Sequence, residues 1–169
     1  KDVKAGRSWT EKARGYSGKY MKSRIPVIAK SLRPYLKDGK INIEEIAVRK
    51  PDEADSEFES RIWDYIKSPY CTKEFTARQA MHIKSDKMYV EGKSYYLSEK
   101  DIPIQDVVKW IRSGEIRIQN GKNWNKKVFI THPEIVAVSL NIDTLEEVKT
   151  NKSTIHVGNT GIHIVPRKG

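Results

Sequence analysis

His156 and His163 lie near the C-terminus, in the stretch Ser153-Thr154-Ile155-His156-Val157-Gly158-Asn159-Thr160-Gly161-Ile162-His163-Ile164-Val165-Pro166. Two runs rich in β-branched residues around Gly158-Asn159-Thr160-Gly161 have the composition of a β-hairpin and its turn. With Asn159 and Thr160 at the tip, Gly158 pairs with Gly161, Val157 with Ile162, and His156 with His163. A three-residue turn with a bulge at Gly161 is the alternative, and it would break this pairing. In the first register Ile155, Val157, Ile162 and Ile164 share one face, and Thr154, His156 and His163 share the other. Opposed residues have Cβ atoms about 4.5 to 5.5 Å apart, close enough for two imidazoles to act on one substrate group. Imidazoles titrate near neutral pH and can serve as base and acid in one reaction. In a basic chain this suggests phosphodiester cleavage of RNA. One ring takes the proton of a ribose 2′-hydroxyl, another group protonates the departing 5′-oxygen, and neither step requires a metal. Polar residues are also the ordinary occupants of the wet face of a half-buried strand, so the pattern is shared with hairpins that only fold.

The elements that must carry this hairpin follow from periodicity. Residues 1–36 are basic and broken by Pro26 and Pro34, which predicts one or two short helices, with a turn at Asp38-Gly39. Phe58, Ile62, Tyr65 and Ile66 fall on one helical face behind an acidic first turn, predicting a helix over 53–67 that Ser68-Pro69 ends, with Trp63 as a packing aromatic. Ile104, Val107, Val108 and Ile111 predict a second helix over 102–113, with Asp101 as N-cap and Gly114 as C-terminal glycine cap. Ile116 and Ile118 alternate with polar residues before an Asn120-Gly121 turn, and Val128-Phe129-Ile130 begins a further strand. Ile135–Leu140 is a nearly continuous apolar run expected at the sheet centre, and the histidine hairpin closes the sheet. His132 falls in a Thr-His-Pro loop, outside the chemistry. Helices first and an antiparallel meander afterwards make an α+β fold.

The 169 residues fit one domain, or a small domain with a helical extension. We divide the chain into a basic, mostly helical region over 1–75 and a catalytic domain over 76–169. Only 37% of residues are hydrophobic and 32% are charged, so the core is modest. The net charge of +10 favours nucleic acid or an anionic surface as partner. That excess is concentrated in the first forty residues, at +9, against −3 over 41–80 and +4 over 81–169. The N-terminal arm could grip RNA phosphates through Arg24, Lys30 and Arg33, or be a solvated helix face. One cysteine, Cys71, provides neither a disulfide nor a zinc site, and no metal or cofactor is expected. No Walker loop, GxGxxG, HExxH or paired CxxC is present. No apolar run suffices to span a bilayer and no signal peptide opens the chain; its start at Lys1 suggests a piece of something longer.

From about Ala77 to Pro166 the chain resembles the polymorphic toxin type 50 domain, found at the C-termini of phage minor head proteins and exported bacterial toxins. The matching pieces are Arg78-Gln79-Ala80-Met81-His82-Ile83, Gly92-Lys93-Ser94-Tyr95-Tyr96-Leu97, Gly121-Lys122-Asn123-Trp124-Asn125-Lys126-Lys127, Thr150 to His156, and Gly161 to Pro166, in that order. The resemblance implies a barnase-like ribonuclease fold and RNA cleavage without metal. It carries catalytic roles onto His82, Lys152, His156 and His163. It also implies action in the bacterial cytoplasm after delivery by a phage particle or a larger secreted protein, and a cognate immunity protein. Thr150, Thr154, Thr160 and Lys127 are candidate substrate-binding residues. The chain departs from the family in having Val157-Gly158 where many relatives have Tyr-Ser, and Lys152 where they have arginine, which alone offers a bidentate fork to phosphate. Two other classes compete. A non-enzymatic phage structural or nucleic-acid-packaging module would bind DNA without cutting RNA, and an ADP-ribosyl transferase would need an NAD-binding cleft that no residue set here declares.

Overall fold

The computed structural model describes residues 28–169, and the arm residues before them, Arg24 included, lie outside the described residues. Ser31–Gly169 forms one compact unit. The first described element is a 3-10 turn, Lys30–Tyr35, on which Lys30 and Arg33 are exposed. A small hairpin follows, β1 (Leu36–Lys37) and β2 (Lys40–Ile41), reversing through Asp38-Gly39 with both residues at positive φ. Helix α1 (Ile43–Ile46) is capped by Asn42, whose side-chain oxygen accepts from the Glu44 amide.

Helix α2 (Asp55–Lys67) starts two residues later than the periodicity predicts and ends where expected, at Ser68 before Pro69. Phe58, Ile62, Tyr65 and Ile66 are all buried on its inner face, each such side chain contributing about 1.5–3 kcal/mol of burial. Arg61 on the same helix is only 2% exposed. Its guanidinium donates to the carbonyls of Ile46 and Val48 and pairs with Glu53 at 2.9 Å, so the buried charge is fully partnered.

Two antiparallel three-stranded sheets form the rest, in the orders β3-β5-β6 and β4-β7-β8. The first is built from β3 (Tyr95–Tyr96), β5 (Ala137–Leu140) and β6 (Glu147–Thr150). The second is built from β4 (Lys127–Thr131), β7 (Lys152–Gly158) and β8 (Gly161–Arg167). Helix α3 (Ile104–Arg112) packs against β4 with Val107 and Ile111 buried. The chain is thus mixed α and β with antiparallel sheets, as its sequence pattern predicts.

Four local expectations are corrected. Ile116–Gln119 is not a strand: only Glu115 pairs, exchanging both backbone hydrogen bonds with Phe129, while Ile116 is buried and Arg49 ties down the carbonyls of Gln119 and Lys122. Asp101 does not cap α3, because its carboxylate accepts from the Ser98 amide within the preceding 3-10 turn, and Pro103 occupies the cap position. Gly114 is absent from the residues at positive φ; it is required because an added Cβ would lie 2.6 Å from Val128 Cγ1 on β4. The apolar run from Ile135 is the middle strand of its sheet, as expected, but the strand begins only at Ala137, with Ile135 63% exposed, and the histidine hairpin belongs to the other sheet.

The free edge of β8 is closed by the segment ahead of the first sheet. The Ile162 amide donates to Glu74 O at 2.8 Å and the Thr76 amide to Ile162 O at 2.9 Å. Gln79, buried, then uses its side-chain amide as a strand would: Nε2 donates to Ile164 O at 3.0 Å and Oε1 accepts from the Ile164 amide at 2.6 Å. Satisfying these edge groups removes a pairing template that would otherwise be open to other chains. Gly161 permits the approach, since it adopts φ +146° and any Cβ there would collide with the Glu74 carbonyl. Gly161→Ala should therefore destabilise the fold by about 2 kcal/mol or more, read as a lowered urea midpoint, and an unchanged midpoint would contradict this account of the β8 edge.

Candidate functional site

The pairing of β7 with β8 is the tight-turn register: Gly158 opposes Gly161, Val157 opposes Ile162 and His156 opposes His163. Ile155, Val157, Ile162 and Ile164 are buried together on one face. The two imidazoles lie on the other, their ring centroids 4.5 Å apart and their planes within 8° of parallel. Lys127 of β4 stands opposite His156 on its other side, so Lys127, His156 and His163 form one row across three strands. Beyond the sheet edge the row is extended by His82, whose ring centroid is 6.4 Å from that of His163 at an angle of 10°. His82 ends the 3-10 turn Ala77–His82, the turn that Gln79 fastens to β8. Its Nδ1 is 2.9 Å from Ser94 O; because a carbonyl only accepts, Nδ1 carries the proton and Nε2 is left as the basic nitrogen.

The hairpin tip is itself held. Asn159 Oδ1 accepts from the Ile43 amide at 2.8 Å and its Nδ2 donates to Asn42 Oδ1 at 2.9 Å, docking the turn on the start of α1. Beside the tip a cleft of about 460 Å³ opens, walled by His156, His163, Thr160, Arg78, Asn125 and Glu44 among others. Glu44 is engaged with Lys126 Nζ at 2.7 Å. A larger hollow of about 650 Å³ shares Thr160 and is walled by Tyr35, Tyr70 and Asn159, but by no histidine.

Of the residues singled out by sequence, His82, Lys127, His156 and His163 come together, and Thr160 stands exposed on the cleft wall. Thr154 is one row along the same face and Lys152 two rows, which at the rise of a strand is about 13 Å from His156. Thr150 is buried, its hydroxyl donating to Arg167 O at 2.7 Å. His132 is elsewhere: it is buried, its Nε2 is 2.6 Å from Ser153 Oγ, and its ring is edge-on to Trp110. Nothing in the sequence pattern singles out Arg78 or Asn125, although both stand inside the pieces that carry the resemblance. Arg78 is the residue whose position after Thr76 on the β8 edge brings it to the cleft.

Residues 75–166 match the family described as Bacterial toxin 50. The chain belongs to the Bacterial toxin 50 family. Comparison with curated proteins gives no match. The matched span contains the whole imidazole row with Lys127, and ends just before Arg167. This is therefore a bacterial toxin domain. Among the described residues no helix is long and apolar enough to cross a membrane, and no three of its His, Cys, Asp and Glu side chains converge as a metal-ligand set.

The electrostatics of the toxin's cleft favour neutral rings. His156 is pushed down to about 4, first by burial and then by Lys127, His82 and Arg78. His163 is also pushed down to about 4, by burial, then by His156, His82 and Arg78. His82 is lowered as well, mainly by burial, which outweighs its hydrogen bond to Ser94. Two imidazolium ions with centroids 4.5 Å apart would repel strongly. The stacked pair consequently takes up one proton far more readily than a second. Unequal protonation of otherwise similar rings is what a base and an acid require of each other.

These shifts also link the site to stability. His132 is lowered to about 4 too, by burial. Each of these rings takes its proton near 6.5 when unfolded but only near 4 when folded, so the unfolded chain binds more protons between those values. Their contribution to stability is whole above about pH 6.5 and is lost as pH falls towards 4. Urea unfolding between pH 7 and 4.5 should show stability declining with acidity, and the decline should be shallower in His156→Gln/His163→Gln. Equal slopes in the two proteins would contradict the depressed ring values.

Proposed function

We propose that this toxin domain is a metal-independent endoribonuclease that cuts RNA by transesterification through the ribose 2′-hydroxyl. The observation that carries the proposal is the parallel imidazole pair at 4.5 Å on the wall of an open cleft, flanked by Lys127 and Arg78. One neutral ring accepts the 2′-hydroxyl proton as the 2′-oxygen bonds to phosphorus; the other, protonated, gives its proton to the 5′-oxygen as the P–O5′ bond breaks. The pair begins and ends the step with one proton, now on the other ring, and the products are a 2′,3′-cyclic phosphate and a 5′-hydroxyl. Water then hydrolyses the cyclic ester with the two roles exchanged. His156 and His163 are interchangeable in this scheme. Lys127 and Arg78 offset the charge that builds on phosphorus, with the Thr160 hydroxyl at hand. His82 keeps its basic nitrogen beside His163, as a substrate ligand or a third member of the relay. Lys152 is a cation for the substrate further along the sheet, with Thr154 between it and the imidazoles.

The Val157-Gly158 departure leaves the cleft intact. Val157 belongs to the core side of β7, and at Gly158 the missing side chain would meet only Gly161 O, at 3.4 Å. Helices ahead of an antiparallel sheet are the layout of the barnase-like fold that the resemblance implies. An RNA substrate places the action in the bacterial cytoplasm, after delivery as part of a phage head protein or an exported carrier. A producing cell then needs an immunity protein, and an acidic face would complement a chain of net charge +10.

His156→Ala and His163→Ala should each lower cleavage of RNA about 10²-fold or more with the fold retained, and EDTA should leave the wild-type rate unchanged. Because the free rings lie near 4, kcat/KM should rise as pH falls from 7 towards 5. Full activity in either alanine variant, or tight salt-sensitive DNA binding with no RNA cleavage, would overturn the proposal in favour of a binding module.

A further inference from the structure

The imidazole face of the larger sheet continues past the histidines in two more rows. Phe129, Thr154 and Val165 form the next, and Thr131, Lys152 and Arg167 the one after. Successive rows are two residues apart, about 6.6 Å, so the last lies about 13 Å from the imidazoles. Arg117, just after the Glu115 bridge to β4, returns to this face: its guanidinium carbon is 3.8 Å from the centroid of the Phe129 ring. Arg167 approaches the same ring at 5.2 Å. Its Nε donates to Ser153 O at 3.2 Å, which holds the side chain against the sheet.

Two guanidinium groups thus share one aromatic ring with an ammonium group in the adjoining row. Among the described residues the one carboxylate in ion-pair reach of these three is Glu115, at 3.8 Å from Arg117, and that pair is exposed on both sides. An exposed pair at this length contributes little and does not neutralise the group. Gathering like charges costs energy, and burial together with Arg117 already opposes the charge on Arg167. Long basic stems can cover an aromatic ring for packing alone, but packing does not require three cations on the face that carries the reactive groups.

We infer that Phe129, Arg117, Arg167 and Lys152 form a binding strip for the backbone of a single-stranded RNA, gripping phosphates about two nucleotides along from the imidazole row. An aromatic platform within a row of cations is the combination by which single strands are held without regard to sequence: bases stack on the ring or the guanidinium planes, and the charges track the phosphates. The strip gives Lys152 a role consistent with its distance from the histidines, and it gives Arg167 one although that residue lies beyond the family match. It rests on RNA as the substrate but not on the imidazoles being the catalytic groups.

The test separates the two. A fluorescent 2′-O-methyl RNA 8-mer has no free 2′-hydroxyl and cannot be cut by the proposed route, so its anisotropy reports binding alone. Arg117→Gln/Arg167→Gln should weaken this binding about tenfold or more and reduce the slope of log Kd against log salt by about 1.4, the value for two phosphate contacts on a single strand. Lys152→Glu should weaken it likewise. Cleavage of a dinucleoside phosphate, too short to reach the strip, should be unchanged in the double arginine variant, which also shows that it is folded. Wild-type failure to bind the 8-mer, or the same affinity and salt slope in the arginine variant and Lys152→Glu, overturns the strip whatever the histidines do. Retained cleavage in His163→Ala with a weakened arginine variant overturns the catalytic assignment and leaves the strip standing.

Discussion

The pairing register of β7 with β8 is the constraint on which everything else hangs. A slip of one residue would turn His156 into the core and bring Ile155 out into the cleft, since alternate residues face opposite ways. The slip is opposed by four buried aliphatic side chains, Ile155, Val157, Ile162 and Ile164, which would have to trade places with polar ones. It is opposed again at the tip, where Asn159 is fastened to Asn42 and the Ile43 amide. The reactive face is thus held by the greasy one. Neither imidazole needs a strong contact of its own to stay in place, which leaves both free to exchange protons.

From that register the site is assembled outwards by strand pairing rather than by local turns. β4 contributes Lys127 to the imidazole row, and the Glu74–His82 segment, fastened along the open edge of β8, contributes His82 and Arg78. Closing the edge and completing the cleft are one structural act, since the hydrogen bonds of Gln79 to Ile164 set the distance from His82 to His163. Burial of the rings, and after it their crowding with one another and with cations, then lowers the imidazole values, so electrostatics follow from topology here. A phosphate entering the cleft would offset the positive charge of Lys127 and Arg78 beside the rings.

How much of this can be read along the chain depends on the range of the interaction. The hairpin, its register and its two faces are legible because a period of two and a four-residue turn are local. The helix over Asp55–Lys67 is legible for the same reason, with apolar spacing and a proline stop. His82 is not: it comes next to His163 through contacts between residues far apart in the chain, and only the family resemblance pointed to it. Lys127 opposite His156 depends on the pairing of β4 with β7. The alternation at Ile116–Gln119 misleads because Ile116 is buried while the neighbouring carbonyls are taken by Arg49 rather than by a partner strand. Asp101 misleads because Ser98, three residues back, claims its carboxylate first. The separation of Lys152 from the imidazoles and its row with Arg167 follow from counting along the hairpin, but its place near Phe129 does not, because that depends on the pairing of β4 with β7.

The central claim is that the imidazole pair drives attack by a ribose 2′-hydroxyl. It is tested most directly with a DNA oligonucleotide carrying one ribonucleotide, incubated with the purified domain in EDTA and followed by phosphorus NMR. The account predicts a single cut, on the 3′ side of the ribose, with a 2′,3′-cyclic phosphate signal that appears before the monoester, and no reaction of the all-deoxy strand. Cleavage of the all-deoxy strand, or products bearing a 5′-phosphate without a cyclic intermediate, would contradict it.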